Sequence, residues 1–302
     1  MQMITIFTPT YNRASTLPRL YNSLLEQTNK NFIWIIVDDG STDGTKELVS
    51  SYVKKALIKI KYVYINNSGK MNAHNLGVSL TNTPLFVCVD SDDFLGTNAI
   101  KDILQEYETI KDDEKIAGII AYRKVLNPIH TCTEFPKNLL ISSGRQLYKK
   151  GYVGETTMIF KSHVIKLYPF PKIKDEKFIL EAYTYNEIDK KYKYKLLRKY
   201  LTIGEYQNDG YSKNYWKYKM ENPLGYALYY EQEAQLERNI KKIIANYVRA
   251  FAYKKIGNNG IKFRFCFKLL LSFPFVILFK NIYLKKELKQ YNLFKTGTDV
   301  FH

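Results

Sequence analysis

The first 125 residues alternate short apolar runs with amphipathic stretches. Residues 3–8 read as an apolar strand, followed by a polar turn at 9–13 and a helix that sets Leu17, Leu20, Tyr21, Leu24 and Leu25 on one face. Residues 32–37 (FIWIIV) are continuously apolar and run into Asp38-Asp39-Gly40, the pattern of a parallel strand covered on both faces. Thr42, Asp43 or Thr45 can cap the next helix, which carries Glu47, Leu48 and Tyr52, and residues 59–65 make a third strand. A helix over 71–79 precedes the apolar run that ends in Asp90. Another, with Ile100, Ile103, Leu104 and Tyr107 on one side, precedes a fifth strand over 116–122.

Strand, turn and helix recur at intervals of about 30 residues, which predicts an α/β fold with a doubly wound, mostly parallel sheet flanked by helices. The polar turns at 8–13, 38–43, 70–75 and 90–93 all fall at strand C-termini, the edge where open parallel sheets bind ligands. The last of them is the most informative. Asp90, Asp92 and Asp93 follow a buried run with only Ser91 between them, and three acids so placed repel one another unless a cation meets them. Mg²⁺ or Mn²⁺ suits such a site, because each takes one or two carboxylates and leaves positions for phosphate oxygens. A plain helix cap by Asp93, with the helix starting near Asn98 or earlier, is the competing local explanation. No GxGxxG follows the first strand and no GxxxxGK[ST] occurs, so phosphates must be held by a metal on the acidic turn, with Lys70 or Arg13 adding positive charge.

Composition changes the picture in two respects. Cys88, Cys132 and Cys266 are scattered and odd in number, and His74, His130, His163 and His302 form no ligand-spaced cluster, which disfavours a disulfide framework or a zinc site. The net charge of +17 is uneven: residues up to 110 hold ten Lys/Arg against eleven Asp/Glu, and the rest hold 36 against 18. A basic C-terminal field attracts anionic lipid, nucleic acid or a diphosphate. The N-terminal MQMITIF lacks a basic n-region and a long apolar run, so a cytoplasmic location is expected.

Taken in order and spacing, TPTYNR (8–13), VDDGSTDGT (37–45), GKMNAHNLG (69–77) and DSDD (90–93) resemble the family 2 glycosyltransferases. The resemblance implies a GT-A fold, a UDP-sugar donor, a divalent cation (Mn²⁺ or Mg²⁺) and transfer with inversion at the anomeric carbon. Carried over, Thr8, Pro9 and Tyr11 would lie along the base and Asp39 would accept from uracil N3, with Asp38 in support. A carboxylate suits that place because uracil presents an N–H there and cytosine an acceptor. Lys70, with Arg13, would meet the base or diphosphate, Asn75 the ribose or phosphate, and Asp90, beside Ser91, the ribose. Asp92 would hold the metal, with Asp93 an alternative ligand, and Asp43 reads as a turn or cap residue.

The segments 154–171 and 175–181 resemble the acceptor side of family members that build bacterial surface polysaccharides. Inverting transfer needs a carboxylate to take the acceptor proton. Glu181 is the first choice, although Glu181-Ala182 stands where many members carry Glu-Asp, and Glu176 and Glu155 compete for the role. In 205–212, Asp209-Gly210 is a turn, and Tyr211 or Lys213 is placed to touch the diphosphate.

These features divide the chain into a catalytic domain over 1–215, with a nucleotide-sugar half (1–125) and an acceptor half (126–215), and a helical, basic C-terminal region over 216–302. Within 261–286 the longest uncharged run, 269–279, is 11 residues and contains Pro274, against the roughly 20 that cross a bilayer. Such a segment suits a helix in the headgroup region of an anionic membrane, or a cap packed on protein. The expectation is a peripheral enzyme on the inner face of the cell membrane, acting on a saccharide acceptor that is lipid-linked, with no nucleic-acid partner. The alternatives are a basic membrane-surface or nucleic-acid binding protein with a degenerate catalytic domain, or a nucleotidyltransferase.

Overall fold

The computed structural model describes residues 2–126, 132–205 and 215–257. Expectations for Asp209, Gly210, Tyr211, Lys213 and the 261–286 segment lie outside the described residues, as do His130, Cys266 and His302.

The first half repeats strand and helix: β1 (Ile4–Thr10), α1 (Leu17–Leu25), β2 (Phe32–Asp38), α2 (Thr45–Lys55), β3 (Ile60–Tyr64), α3 (Lys70–Leu80), β4 (Leu85–Cys88), β5 (Phe94–Leu95) and α4 (Ala99–Glu108). Then follow β6 (Ile116–Val125), β7 (Ile141–Ser142), α5 (Gly144–Lys149), β8 (Glu155–Lys161), α6 (Ser162–Ile165), α7 (Glu181–Asp189) and β9 (Lys193–Gly204). The chain closes with α8 (Tyr215–Glu221), α9 (Pro223–Leu236) and α10 (Ile240–Ile256).

Among the described residues nine strands join one sheet in the order β3-β2-β1-β4-β8-β6-β9-β5, with β7 paired to β9. The strands β3, β2, β1 and β4 are mutually parallel. Next, β8 lies antiparallel between β4 and β6, and β9 runs parallel to β6. Two reversals restore direction, so the C-terminal ends of β6 and β9 and the N-terminal end of β8 lie on the same edge as the C-terminal ends of β1, β2 and β4.

Side chains of a strand alternate between faces, so neighbouring apolar residues enter different cores. Ile6, Trp34 and Val87 pack with Leu17, Leu20, Val49, Ile100 and Ile103 from α1, α2 and α4. Phe7, Ile35 and Phe86 pack on the other face with Ala73, Val78, Leu147, Val164 and Ile188 from α3, α5, α6 and α7. This double covering is why β4 and β2 up to Val37 are apolar at successive rather than alternate positions.

The chain forms two compact units. One comprises Met1–Phe170 and Thr184–Gln207 and contains the whole sheet; the other comprises Pro171–Tyr183 and Asn208–His302. A single cut after residue 215 was expected, whereas residues 171–183 group with the C-terminal helices. Hydrogen bonds within the second unit explain this: both oxygens of Glu176 accept from the free N–H groups that open α9, Leu224 N at 2.6 Å and Gly225 N at 2.7 Å. In return Asn222 Oδ1 accepts from the backbone of Lys177 and Phe178. Lys219 of the same unit is buried, its ammonium 4.5 Å from the Trp216 ring and 4.9 Å from that of Tyr253.

Candidate active site on the sheet rim

The first two turns of the rim are tied together by their own side chains. Asn12 adopts the left-handed conformation (φ 52°); its N–H donates to Ser41 Oγ at 2.8 Å, and its Oδ1 accepts from Thr42 N at 2.8 Å. None of Thr42, Asp43 and Thr45 is the cap of α2, whose N-cap is Gly44 with no side-chain bond; Asp43 accepts from Thr45 N at 3.1 Å just before the helix, and its second oxygen accepts from Ala14 N at 3.0 Å. Asp43 therefore fixes the first turn as well as its own. Tyr11 is 48% exposed on the rim, while Pro9 is buried. Thr8 departs from the expectation that it lies along a base. Its side chain is buried and its hydroxyl accepts from Trp34 Nε1 at 2.9 Å, because that strand position faces the core.

Asp38 and Asp39 are both buried and take different partners. Asp38 accepts from Ser41 N at 2.8 Å and from the Tyr62 hydroxyl at 2.7 Å. Asp39 accepts from Ser68 N at 2.7 Å and Gly69 N at 2.8 Å. The Ser68 hydroxyl, 3.3 Å from Oδ1, is a third donor, and with two lone pairs on each oxygen Asp39 can accept one further bond. Gly69, at φ 96°, takes a conformation open to glycine and so presents its N–H to Asp39 just before α3 begins.

From Gly69 the chain passes directly to Lys70, whose Nζ lies 2.9 Å from Asp90 Oδ1. Asp39, Lys70 and the acidic turn are thereby brought to one stretch of rim. The turn is closed by Asp93 N donating to Asp90 O at 3.0 Å, Ser91 is buried within it, and Arg19 donates to the Asp92 carbonyl. Arg13 lies near enough for its charge to act on Asp92.

The three acids are not equivalent. Burial raises the Asp90 carboxyl, but the charge and hydrogen bond of Lys70, with the charges of Arg123 and His74, together outweigh it, so it sits below the usual range. Burial and the charge of Asp90 hold Asp92 above its ordinary value. Asp93 is spoken for: Arg123 Nε donates to Oδ2 at 2.7 Å and Nη2 to Oδ1 at 2.6 Å, so both oxygens face a guanidinium, not solvent. The structure thus removes Asp93 from the candidate metal ligands and from helix capping, since α4 begins after Asn98. The same guanidinium donates to Glu155 at the start of β8.

A metal fits here only in a limited form. Among the described residues no cluster of three or more His, Cys, Asp or Glu side chains could hold an ion. Burial raises both Asp92 and Asp93, but Lys70 pairs with Asp90 and Arg123 with Asp93, which leaves Asp92 as the carboxylate of this turn that a cation would meet. That matches Mg²⁺ or Mn²⁺ held by one protein carboxylate with phosphate oxygens and water, and not an all-protein cage.

Two further expectations change. Asn75 donates through Nδ2 to Phe170 O at 2.9 Å and accepts from Phe170 N at 2.9 Å, so its amide clamps backbone instead of addressing a ribose or phosphate. Glu176 gives each oxygen to an N–H group that opens α9, a structural role that disfavours it as the base. Glu181 opens α7 and is partly buried. Sequence reasoning missed Asn12, Arg123 and Gly204. Of these, Arg123 had a signal: it is the first charge in the otherwise apolar IAGIIAYRKV.

A mixed sheet of this order, with an acidic turn beyond β4 and flanking helices on both faces, is the GT-A class of fold. The model of glycosyl transferase family 2 matches residues 5–173, more than half of the chain, and the chain belongs to that family. Among curated proteins it is 31% identical over 124 residues to an uncharacterized glycosyltransferase of Nostoc sp., covering 41% of this chain and 37% of that protein. To the teichoic acid poly(glycerol phosphate) polymerase of Staphylococcus epidermidis it is 31% identical over 134 residues, 44% of this chain and 17% of that protein. The chain thus spans less than two fifths of either relative's length. Among solved structures, S. aureus TarS 1–349 in complex with UDP-GlcNAc superposes with a TM-score of 0.63 at 14% identity, covering 99% of this chain and 93% of that one. The mannosyltransferase PcManGT from Pyrobaculum calidifontis, in complex with GDP-Man and Mn²⁺, gives 0.51 at 15% identity, covering 95% and 84%. At these identities the likeness is one of fold.

Proposed function

We propose that this chain is an inverting, metal-dependent glycosyltransferase that moves a sugar from a UDP-sugar to a saccharide acceptor in bacterial cell-surface polysaccharide synthesis. The observation that carries this reading is the continuous linkage Asp39–Gly69–Lys70–Asp90 on the sheet rim, which sets a candidate base acceptor, a cation and the acidic turn side by side. Asp39 accepts from uracil N3, Lys70 exchanges Asp90 for a diphosphate oxygen, and Tyr11 covers the base. Asp92 would hold Mn²⁺ or Mg²⁺, which when bound supplies Lewis-acid stabilisation of the departing diphosphate.

Glu181 is the proposed base that takes the proton of the acceptor hydroxyl. The resemblance of segment 175–181 to the acceptor side of family members supports this choice, while Glu176 bonds the start of α9 and Glu155 pairs with Arg123. Surface-polymer synthesis among the relatives, and the basic C-terminal sequence, support a lipid-linked acceptor met at the inner face of an anionic membrane. Among the described residues no helix is long and apolar enough to cross a membrane.

The test is thermal stabilisation by UDP, UDP-GlcNAc and GDP-mannose with and without Mn²⁺, since a ligand of the native state raises its melting temperature. UDP compounds are expected to stabilise in a cation-dependent manner, Asp92→Ala to lose the cation dependence, and Glu181→Gln to keep it. Stabilisation by GDP-mannose alone would overturn the uridine assignment, and no response to any nucleotide would overturn the enzyme assignment.

A further inference from the structure

We propose that Arg123 is a positioning residue for the acidic turn: Asp93, Arg123, Glu155 and Gly204 form a clasp that aims Asp92 at its cation. In its functional half the proposal rests on the donor site argued above. The geometry is specific. Arg123 grips both Asp93 oxygens at 2.6 and 2.7 Å, and the side chains are only 17% and 6% exposed. Its remaining terminal nitrogen donates to Glu155, its register partner on β8, so the guanidinium plane is fixed from two strands. On the third side, β9 ends at Gly204. A Cβ there would lie 1.9 Å from Asp93 Oδ1 and 2.4 Å from Arg123 Nη2, so only a glycine leaves room for the pair.

Stability alone gives little reason for this arrangement. A buried ion pair loses most of its Coulombic gain to desolvation, and apolar residues packed at 93 and 123 would hold the strands as well. What the pair adds is direction. Asp93 N bonds Asp90 O, so Asp93 and Asp90 are the two feet of one tight turn. Lys70 holds the first foot and Arg123 the second, and Asp92 stands between them with its orientation set by both. Groups that orient a ligating carboxylate change metal affinity by about 10- to 100-fold when removed.

The test compares Arg123→Gln, Arg123→Lys and Gly204→Ala with the parent, each first checked for a cooperative melt. Affinity for UDP is measured calorimetrically in MnCl₂ and in EDTA, and amide hydrogen exchange is followed in the peptide spanning 90–95. In Mn²⁺ all three variants are expected to bind UDP at least about tenfold more weakly. Lysine gives no full rescue because one ammonium cannot satisfy both oxygens. In EDTA their affinities are expected to match the parent, and exchange at 90–95 to be faster with or without ligand. Unchanged affinity in Mn²⁺ for folded Arg123→Gln overturns the proposal. So does an equal loss in Mn²⁺ and EDTA, which would assign Arg123 to the nucleotide itself. Should the parent bind no UDP, the donor site fails separately, and unchanged exchange at 90–95 would then overturn the clasp.

Discussion

Lys70 and Asp90 meet at 2.9 Å, joining the first residue of α3 to the turn that follows β4. The pair couples a rim cation to the acidic motif before any ligand arrives. A diphosphate bound there, as proposed, would replace one anion beside Lys70 by another.

Lys70→Met isolates the Asp90 carboxylate. Because the folded protein holds Asp90 below its ordinary value, the stabilisation is present above the unfolded value near about 3.9 and disappears as pH falls through the lower folded one. Asp90 is partly exposed, which limits the effect to about 1 kcal/mol or less. Melting curves from pH 7 to pH 2 should show a gap between parent and variant that closes on the acid side. A gap that widens on acidification would contradict the pairing.

Glu176 and Glu181 are expected to separate cleanly. Glu176→Ala leaves two N–H groups at the start of α9 without acceptors and should cost about 1–2 kcal/mol, with UDP release per folded molecule retained. Glu181→Gln should melt like the parent and release no UDP when acceptor-bearing cell-envelope extract is supplied. The reverse pattern would return the base assignment to Glu176.

His74 lies 4% exposed among Phe7, Phe86 and Phe170, at centroid distances of 5.5, 5.3 and 4.9 Å. Neither ring nitrogen has a hydrogen-bond partner. Burial, aided by the charge of Lys70, lowers the imidazole to about 3. The unfolded chain therefore binds one more proton between about pH 6.5 and that value, and stability falls as pH drops through this window. His74→Phe should flatten that slope without loss of stability at pH 7, because it removes two buried unsatisfied nitrogens. An identical pH slope in chemical denaturation of both proteins would exclude a neutral buried imidazole.

Lys161 is buried, and its ammonium donates to the carbonyls of Ile110, Lys111 and Asp113 at 2.7, 3.0 and 2.8 Å, closing the turn between α4 and β6. Lys161→Met strands three carbonyls and should lower stability by on the order of 2–3 kcal/mol. Urea denaturation would reveal it, and a change below about 0.5 kcal/mol would mean that water replaces the ammonium.

The amino-acid sequence by itself determined the helices of the first 125 residues and their strands apart from the two-residue β5, the placement of the polar turns at strand ends, and the family. Each follows from local chemistry: apolar runs specify buried strands, and Asp, Asn and Gly specify the turns between them. Hydrogen-bond partnership is not local, and only the tertiary structure decided it. Asp93 finds Arg123 30 positions away, Glu176 finds Leu224 48 away, and Asn75 finds Phe170 95 away. Three carboxylates in a row look alike in sequence. Once folded, Lys70 claims Asp90 and Arg123 claims Asp93, because a buried charge must be paired, and Asp92 is the one left for the proposed cation.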